Sequence, residues 1–127
     1  MQKNKILIID DDPVIVKLVT VVLKARNYDV VTASNGDDGL ITAKSDNPNL
    51  ILLDISMPTI SGYEVCQKLK TDKYTQKIPI IMLTSEDDTE AVEIAYGAGA
   101  NDYIVKPLNL LILIKNMDQL LANKHKN

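Results

Sequence analysis

Four apolar runs of this chain end on polar side chains that could do chemistry. The runs span residues 5–9, 49–53, 78–83 and 103–105. The polar residues that end them are, in chain order, Asp10 with Asp11 and Asp12, Asp54, Thr84 and Lys106. If the runs are parallel strands of one sheet, these groups meet at one edge, where ligands of such sheets bind. Carboxylates, a hydroxyl and an ammonium gathered there predict a site for a divalent cation and a phosphoryl group.

The elements that must position these groups alternate along the whole chain. Strands are predicted at 5–9, 29–33, 50–53, 78–83 and 102–105. Helical spacing predicts helices over about 13–27, 37–45, from 61 onward, 88–96 and 109–122. Asp12 before Pro13 favours a capped helix start. This alternation predicts an α/β fold with a doubly wound, five-stranded parallel sheet and helices on both faces.

Length and composition favour one cytoplasmic domain. The 127 residues suit a single domain over 1–127, with an ordered core of about 4–122 and a tail at 123–127. A net charge of −3 without a long basic block argues against direct contact with nucleic acid. No run approaches the roughly 20 apolar residues of a membrane span. The single cysteine, Cys66, excludes an internal disulfide and suits a reducing compartment, where we expect it to be a buried, unreactive thiol.

Taken together, the motifs resemble the receiver domain of two-component response regulators, including chemotaxis regulators. The resemblance covers nearly the whole chain. The matching segments are 8–13 (IIDDDP), 52–58 (LLDISMP), 60–62 (ISG), 83–85 (LTS), 97–100 (GAGA) and 102–107 (DYIVKP). Each segment alone is a weak signal, but their order and spacing together are specific. The resemblance implies the flavodoxin-like strand order 2-1-3-4-5, of which this family is itself a standard example.

The resemblance also assigns a phosphoacceptor and a metal site. It implies that Asp54 takes a phosphoryl group, forming an acyl phosphate. It implies Mg²⁺ as the cofactor, with Asp11, Asp54 and the backbone carbonyl of Ser56 as ligands and Asp10 acting mainly through water. We expect Asp12 to cap the helix rather than bind the metal.

Further roles follow from the same resemblance. It implies that Lys106, before a usually cis Pro107, neutralises phosphoryl charge, and that the Thr84 hydroxyl donates to a phosphoryl oxygen. Tyr103 matches the aromatic residue that turns inward in the switched state. Ser56 and Glu86 match positions that tune the dephosphorylation rate. The chain is then not an ordinary enzyme but a regulatory phosphoacceptor that catalyses its own phosphorylation and dephosphorylation.

The expected partners are a histidine kinase or histidine phosphotransfer protein and an unidentified downstream protein. The face formed by helix 4, strand 5 and helix 5 is where receivers commonly dock. On the last helix, Leu110, Leu113 and Ile114 belong to a stripe that should pack on the sheet. Leu111 lies at the edge of this stripe and Ile112 on the opposite side. Both are candidates for a partner surface, or for a homodimer formed on phosphorylation; isolated exposed apolar residues are also common by chance.

Three other functions remain open from the sequence. A Mg²⁺-dependent phosphohydrolase with an aspartate nucleophile, of the haloacid-dehalogenase type, uses similar groups. Its nucleophile strand reads Asp-x-Asp-x-Thr or Ser, whereas this chain has DISMP from Asp54, and it needs room for a substrate cap. A flavodoxin-like nucleotide or flavin carrier would need a phosphate-binding loop where residues 10–12 are acidic. A receiver that signals without phosphorylation is disfavoured because the acids, Thr84 and Lys106 are all present.

Overall fold

Five strands and five helices alternate along the part of the chain that the structure describes, as the sequence predicts. The structure, a computed structural model, describes residues 3–85 and 89–125. Its strands are β1 (Lys5–Ile9), β2 (Asp29–Ala33), β3 (Leu50–Asp54), β4 (Ile80–Thr84) and β5 (Asp102–Val105). Its helices are α1 (Pro13–Ala25), α2 (Gly36–Asp46), α3 (Gly62–Thr71), α4 (Thr89–Gly97) and α5 (Leu110–His125).

The strands form one parallel sheet in the order β2-β1-β3-β4-β5. This confirms the doubly wound topology and the flavodoxin-like order that the resemblance implied. All strands point the same way, so their carboxyl ends share one edge. We call this the carboxyl edge and define it by Asp10, Asp11, Asp54, Thr84 and Lys106. The amino edge is the opposite one, defined by Lys5, Asn49, Lys70 and Asn101.

Helices cover both faces of the sheet. On one face, α1 and α5 pack on β-strand side chains such as Ile8 and Leu52 through Val19 and Met117. On the other, α2, α3 and α4 pack on alternate side chains of the same strands, with Cys66 among the contacts. Every residue of β3 and β4 is buried. Fully burying one Ile or Leu contributes about 1.5–3 kcal/mol, so the apolar strands hold the central sheet while polar groups collect at its edges.

Side chains cap the starts of α1, α2 and α3, and at the start of α5 Asn109 Oδ1 accepts from the N–H groups of Leu111 and Ile112. The Asp12 carboxylate accepts a hydrogen bond from the Val14 N–H at 2.9 Å, which confirms its predicted role as a cap. The Asn35 side chain accepts from the Asp38 N–H at the start of α2. The Ser61 hydroxyl accepts from the Glu64 N–H at 3.3 Å at the start of α3. These caps satisfy backbone donors that have no partner inside a helix.

Some element boundaries differ from the predicted ones for local reasons. Helix α1 ends at Ala25 rather than near 27, because Asn27 adopts a left-handed φ of 71°. Strand β4 begins at Ile80, two residues later than predicted, since Pro79 has no N–H to donate. Helix α5 continues to His125, three residues past its predicted end.

Cys66 is buried, as expected for a core thiol. Its side chain is fully enclosed within the core beneath α3. Burial raises the pKa of this thiol to about 11, which keeps it protonated and poorly nucleophilic at neutral pH. Among residues 3–85 and 89–125, the helices are too short or too polar to cross a bilayer.

Candidate functional site

The sheet register brings the acids together. Ile9 pairs with Leu53, so Asp10, directly after β1, and Asp54, the last residue of β3, lie side by side on neighbouring strands. One carboxylate oxygen from each of Asp10, Asp11 and Asp54 lies within 4.8 Å of the others. Asp10 and Asp54 are 1% and 4% exposed, whereas Asp11 is exposed. The predicted convergence of distant acids at the carboxyl edge is therefore present.

Lys106 extends from the end of β5 into this cluster. Its Nζ lies 3.2 Å from Asp10 Oδ2 and 3.3 Å from Asp54 Oδ1. The Lys106–Pro107 peptide bond is cis, as the resemblance implied. Three carboxylates against one ammonium leave these four side chains with two negative charges when all are ionised. A divalent cation would balance that charge.

Burial and crowding change the proton affinity of Asp54. Desolvation by burial, and next the charge of Asp10, raise the pKa of Asp54 to about 6. Lys106 and the Ser56 N–H act in the opposite direction and are not enough to offset them. Burial lowers the pKa of Lys106, but Asp10 and Asp54 outweigh it and the pKa is raised overall. Lys106 is therefore charged at neutral pH. A bound cation would favour the ionised form of Asp54.

The hydrogen bonds distinguish Asp10 from Asp11 and Asp54. Asp10 is engaged at both oxygens, since Oδ1 accepts from the Asp12 N–H at 2.9 Å and Oδ2 from Lys106. Asp11 is exposed at the rim of the cluster. The Ser56 N–H lies 3.4 Å from Asp54 Oδ1. This pattern suits Asp11 and Asp54 as direct metal ligands and Asp10 as a more distant one.

The remaining predicted residues lie around this cluster. Thr84 is buried at the last position of β4; Asp54 pairs with Leu83, so Thr84 stands one residue further along the neighbouring strand. Tyr103 is half-buried in β5, against the core of the α3 side. Glu86, a predicted tuning residue, lies outside the described residues.

The donor set fits a hard divalent cation. Mg²⁺ prefers oxygen ligands and is usually held by one or two carboxylates together with water and phosphate oxygens. Three carboxylates within 4.8 Å of one another supply that chemistry, and the surplus negative charge supplies the electrostatic attraction. Asp11 and Asp54 would hold the ion. The predicted contribution of the Ser56 carbonyl remains a prediction.

Two residues, Thr59 and Gly62, shape the loop after β3 through backbone geometry that the sequence alone does not reveal. Thr59 has a φ of 68°, and a Cβ on Gly62 would lie 2.2 Å from the carbonyl oxygen of Asp54. Composition and periodicity do not mark Thr59 as a turn residue with positive φ, because a β-branched side chain ordinarily favours extended backbone. Gly62 stands out in the sequence only as part of a matching segment and a helix start.

Comparisons with known proteins agree with the site. The family model of the response regulator receiver domain matches residues 6–118. The DNA-binding dual master transcriptional regulator RpaA of Synechocystis is 38% identical over 92% of this chain and 48% of its own. Protein PilH of Pseudomonas aeruginosa is 34% identical over 93% of this chain and 98% of its own. The chain thus spans about half the length of RpaA but nearly all of PilH.

A solved structure is similar in three dimensions as well. The receiver domain of the sensor histidine kinase PA1611 from Pseudomonas aeruginosa superposes with a TM-score of 0.88 at 25% identity. The match covers 95% of this chain and 99% of that one. That structure holds a magnesium ion coordinated in its active-site cleft.

Proposed function

The chain belongs to the response regulator receiver family, and on that premise we propose that Asp54 is its phosphoacceptor, served by Mg²⁺ and charged by a histidine kinase or histidine phosphotransfer protein. Proteins of this family are signalling domains homologous to response regulators. One observation carries the proposal: Asp10, Asp11 and Asp54 meet at one edge of the sheet with the ammonium of Lys106 against two of them.

The proposed chemistry is attack of an Asp54 carboxylate oxygen on a phosphoryl donor. A new oxygen–phosphorus bond forms as the bond from phosphorus to the donor breaks, and the donor leaves with the electron pair. Lys106, whose Nζ lies 3.3 Å from Asp54 Oδ1, would neutralise the charge of the transferred group from one side. When bound, Mg²⁺ would offset negative charge on the carboxylates and phosphoryl oxygens. Catalysis is then positioning and charge neutralisation, which the chain performs on itself.

We propose that Thr84 and Tyr103 change position when Asp54 is phosphorylated. The Thr84 hydroxyl, at the end of β4, would donate to a phosphoryl oxygen on Asp54. Tyr103, half-buried on the adjacent strand β5, would then turn inward and reshape the neighbouring surface. Ser56, exposed beside Asp54, would influence how fast water removes the phosphoryl group.

Intact mass after incubation with acetyl phosphate tests the phosphoacceptor. With Mg²⁺ we expect one added phosphoryl group per chain. The addition should disappear in Asp54→Asn and in wild type treated with a chelator. Labelling that persists in Asp54→Asn would refute the assignment. Steady turnover of p-nitrophenyl phosphate, in place of one phosphoryl group per chain, would instead support the phosphohydrolase alternative.

The proposed partner surface lies on the outer side of α5. Leu111 is 75% exposed and Ile112 49% exposed, whereas Leu113 and Ile114 are buried against the sheet. Sedimentation with a beryllofluoride-type phosphoryl mimic should show self-association that Ile112→Glu weakens. Monomers under all conditions would refute the homodimer and leave a different downstream protein as the occupant.

We do not expect this chain to contact nucleic acid directly. RpaA is a DNA-binding regulator by name, but this chain matches only 48% of its length. The net charge of −3 gives no electrostatic basis for binding a phosphate backbone. The absence of direct DNA binding and the cytoplasmic location both stay predictions.

A further inference from the structure

The loop between β3 and α3, residues 55–61 and here called the site loop, is anchored at both ends. Ile55 and Ile60 are 6% and 8% exposed and belong to the core. The carbonyl of Ile55 also accepts a hydrogen bond from the Gly62 N–H at 2.9 Å. Between the two isoleucines, Met57 packs partly against the core, while Ser56, Pro58 and Thr59 are exposed beside Asp54.

Thr59 gives the site loop a strained turn. The Ile60 N–H donates to the Pro58 carbonyl at 2.8 Å, closing a three-residue turn centred on Thr59. The Thr59 hydroxyl donates to the same carbonyl at 2.6 Å. Its φ of 68° is an outlier for a β-branched side chain, and a tight turn of this kind at positive φ is rare. Such strain persists only where the surrounding structure imposes it.

Gly62 sets the other limit of the site loop. A Cβ there would lie 2.2 Å from the Asp54 carbonyl oxygen and 2.7 Å from Ile55 Cα. Both neighbours are backbone atoms of the strand end that carries the phosphoacceptor, so neither can move aside without moving Asp54. Only glycine lets α3 begin in contact with that strand end.

The start of helix α2 also packs against the site loop. A Cβ on Gly36, the first residue of α2, would lie 2.5 Å from Ile60 Cγ2. The helix start therefore packs directly on the buried end of the loop. With α2 against Ile60 and α3 against Asp54, the two ends of the site loop are fixed, and the turn at Thr59 restricts the residues between them.

We infer that Thr59 and Gly62 are positioning residues of the phosphoacceptor site: together they hold the loop so that Ser56 stays at the Asp54 carboxylate and its cation. The inference rests on the proposed function. Its evidence is the strained turn, the backbone contact of Gly62 and the Ser56 N–H 3.4 Å from Asp54 Oδ1. A loop that is already ordered loses little conformational entropy when the cation binds.

Thr59→Gly separates positioning from stability. Glycine adopts positive φ without steric cost, so the fold should not lose thermal stability. The freed loop must be ordered again on binding, so Mg²⁺ affinity should fall about threefold to tenfold. The measurement is an amide-shift titration of the full chain with Mg²⁺, together with the thermal midpoint. Wild-type affinity in Thr59→Gly would overturn the inference.

Asn27→Gly is the matched control. Asn27 has a similar φ of 71° but lies after α1, toward the amino edge. Its replacement relieves the same kind of backbone conformation away from the site. We expect unchanged Mg²⁺ affinity in Asn27→Gly. An equal loss in both variants would mean that general flexibility, not the site loop, sets the affinity, and would overturn the inference.

Gly62→Ala and Gly99→Ala form a second pair. A Cβ on Gly99, which has a φ of 104°, would meet the Lys70 side chain at 2.7 Å, far from Asp54 in the fold. Both variants should lower the thermal midpoint. Among the folded molecules, only Gly62→Ala should bind Mg²⁺ more weakly. Where Gly62→Ala does not fold, the Thr59→Gly titration decides alone.

The titration also separates this inference from the proposed function. Wild type that neither binds Mg²⁺ nor gains a phosphoryl group would refute the proposed function itself. Wild type that does both, with Thr59→Gly binding the ion equally well, would refute only the positioning role.

Discussion

At the amino edge of the sheet, polar side chains bond to backbone groups, whereas at the carboxyl edge they face one another. Asn49 Oδ1 accepts from the Lys5 N–H at 2.8 Å. Asn101 Oδ1 accepts from the Ile80 N–H at 2.9 Å and from Lys70 Nζ at 2.8 Å. The side chains of this edge therefore supply partners for backbone donors at strand starts.

At the carboxyl edge, by contrast, side chains of like charge lie close together. Asp10, Asp11 and Asp54 lie within 4.8 Å of one another, and Lys106 meets two of them. Like charges at such separations raise the free energy of the folded state unless a cation offsets them. One edge thus stabilises the fold, and the other holds unfavourable charge that a ligand can relieve.

The largest expected difference between the edges follows from removing a lysine. Lys106→Met removes the ammonium from Asp54, and we expect the rate of phosphorylation by acetyl phosphate to fall about 100-fold or more. Lys70→Met removes bonds of 2.8 Å to the Ile78 carbonyl and to Asn101, at the other edge. It should lower the thermal midpoint and keep the phosphorylation rate. Time courses of intact mass measure both, and equal losses of rate would erase the contrast.

The pH dependence of stability should also distinguish the edges. The pKa of Asp54 is raised to about 6 in the folded state, above its usual value near 4. Between these values the folded chain holds a proton that the unfolded chain has lost. Stability without metal therefore falls as pH rises through this window, and the loss is complete above about pH 6.

Asp54→Asn should remove this part of the pH dependence. At pH 7.5 without metal, the variant should be more stable than wild type by about 1–3 kcal/mol in urea unfolding. Asp29→Asn, an exposed acid at the start of β2, is the control and should change little. A less stable Asp54→Asn protein would show that the ionised Asp54 does not destabilise the folded chain.

Added magnesium should offset the charge at the carboxyl edge. At ten times its dissociation constant, Mg²⁺ should stabilise wild type by about 1.4 kcal/mol. Asp11→Asn removes an exposed proposed ligand, so the gain should shrink, while Asp29→Asn should keep it. Urea unfolding with and without the ion gives the difference. A full gain in Asp11→Asn would remove Asp11 from the ligand set.

The smallest effect on the candidate site is expected from a change at the amino edge. Asn101→Ala leaves the Ile80 N–H and Lys70 without their shared acceptor, which should cost about 1–2 kcal/mol. Mg²⁺ affinity and phosphorylation should stay at wild-type values. Urea unfolding tests the loss of stability, and the acetyl phosphate assay tests the unchanged phosphorylation. A slower phosphorylation would show that the two edges are coupled.

Much of the fold follows from local patterns in the sequence. Continuous apolar strands predict a sheet covered on both faces, and each acid that ends a strand predicts where the site lies. Asp12 before Pro13 predicts the start of α1 from chemistry alone. Strand order is different, because no local pattern states which strands are neighbours. It came from the family resemblance, and the structure confirms it.

What the sequence could not supply depends on contacts between distant residues. Asn101 and Lys70 are 31 residues apart, and neither has a pattern that pairs them. The strain at Thr59 depends on a backbone angle imposed by the elements around it. Boundaries moved for similar reasons: the Ile78 N–H bonds back to the Thr75 carbonyl, so the strand ladder starts later than its apolar run.

The phosphorylated position is tested most directly by reducing the acyl phosphate with borohydride and sequencing the peptides by mass spectrometry. An aspartyl phosphate is converted to homoserine, which marks the residue that carried the phosphoryl group. After acetyl phosphate and Mg²⁺, homoserine should replace Asp54 alone. Homoserine at Asp10 or Asp11, with Asp54 unchanged, would contradict the account of the carboxyl edge.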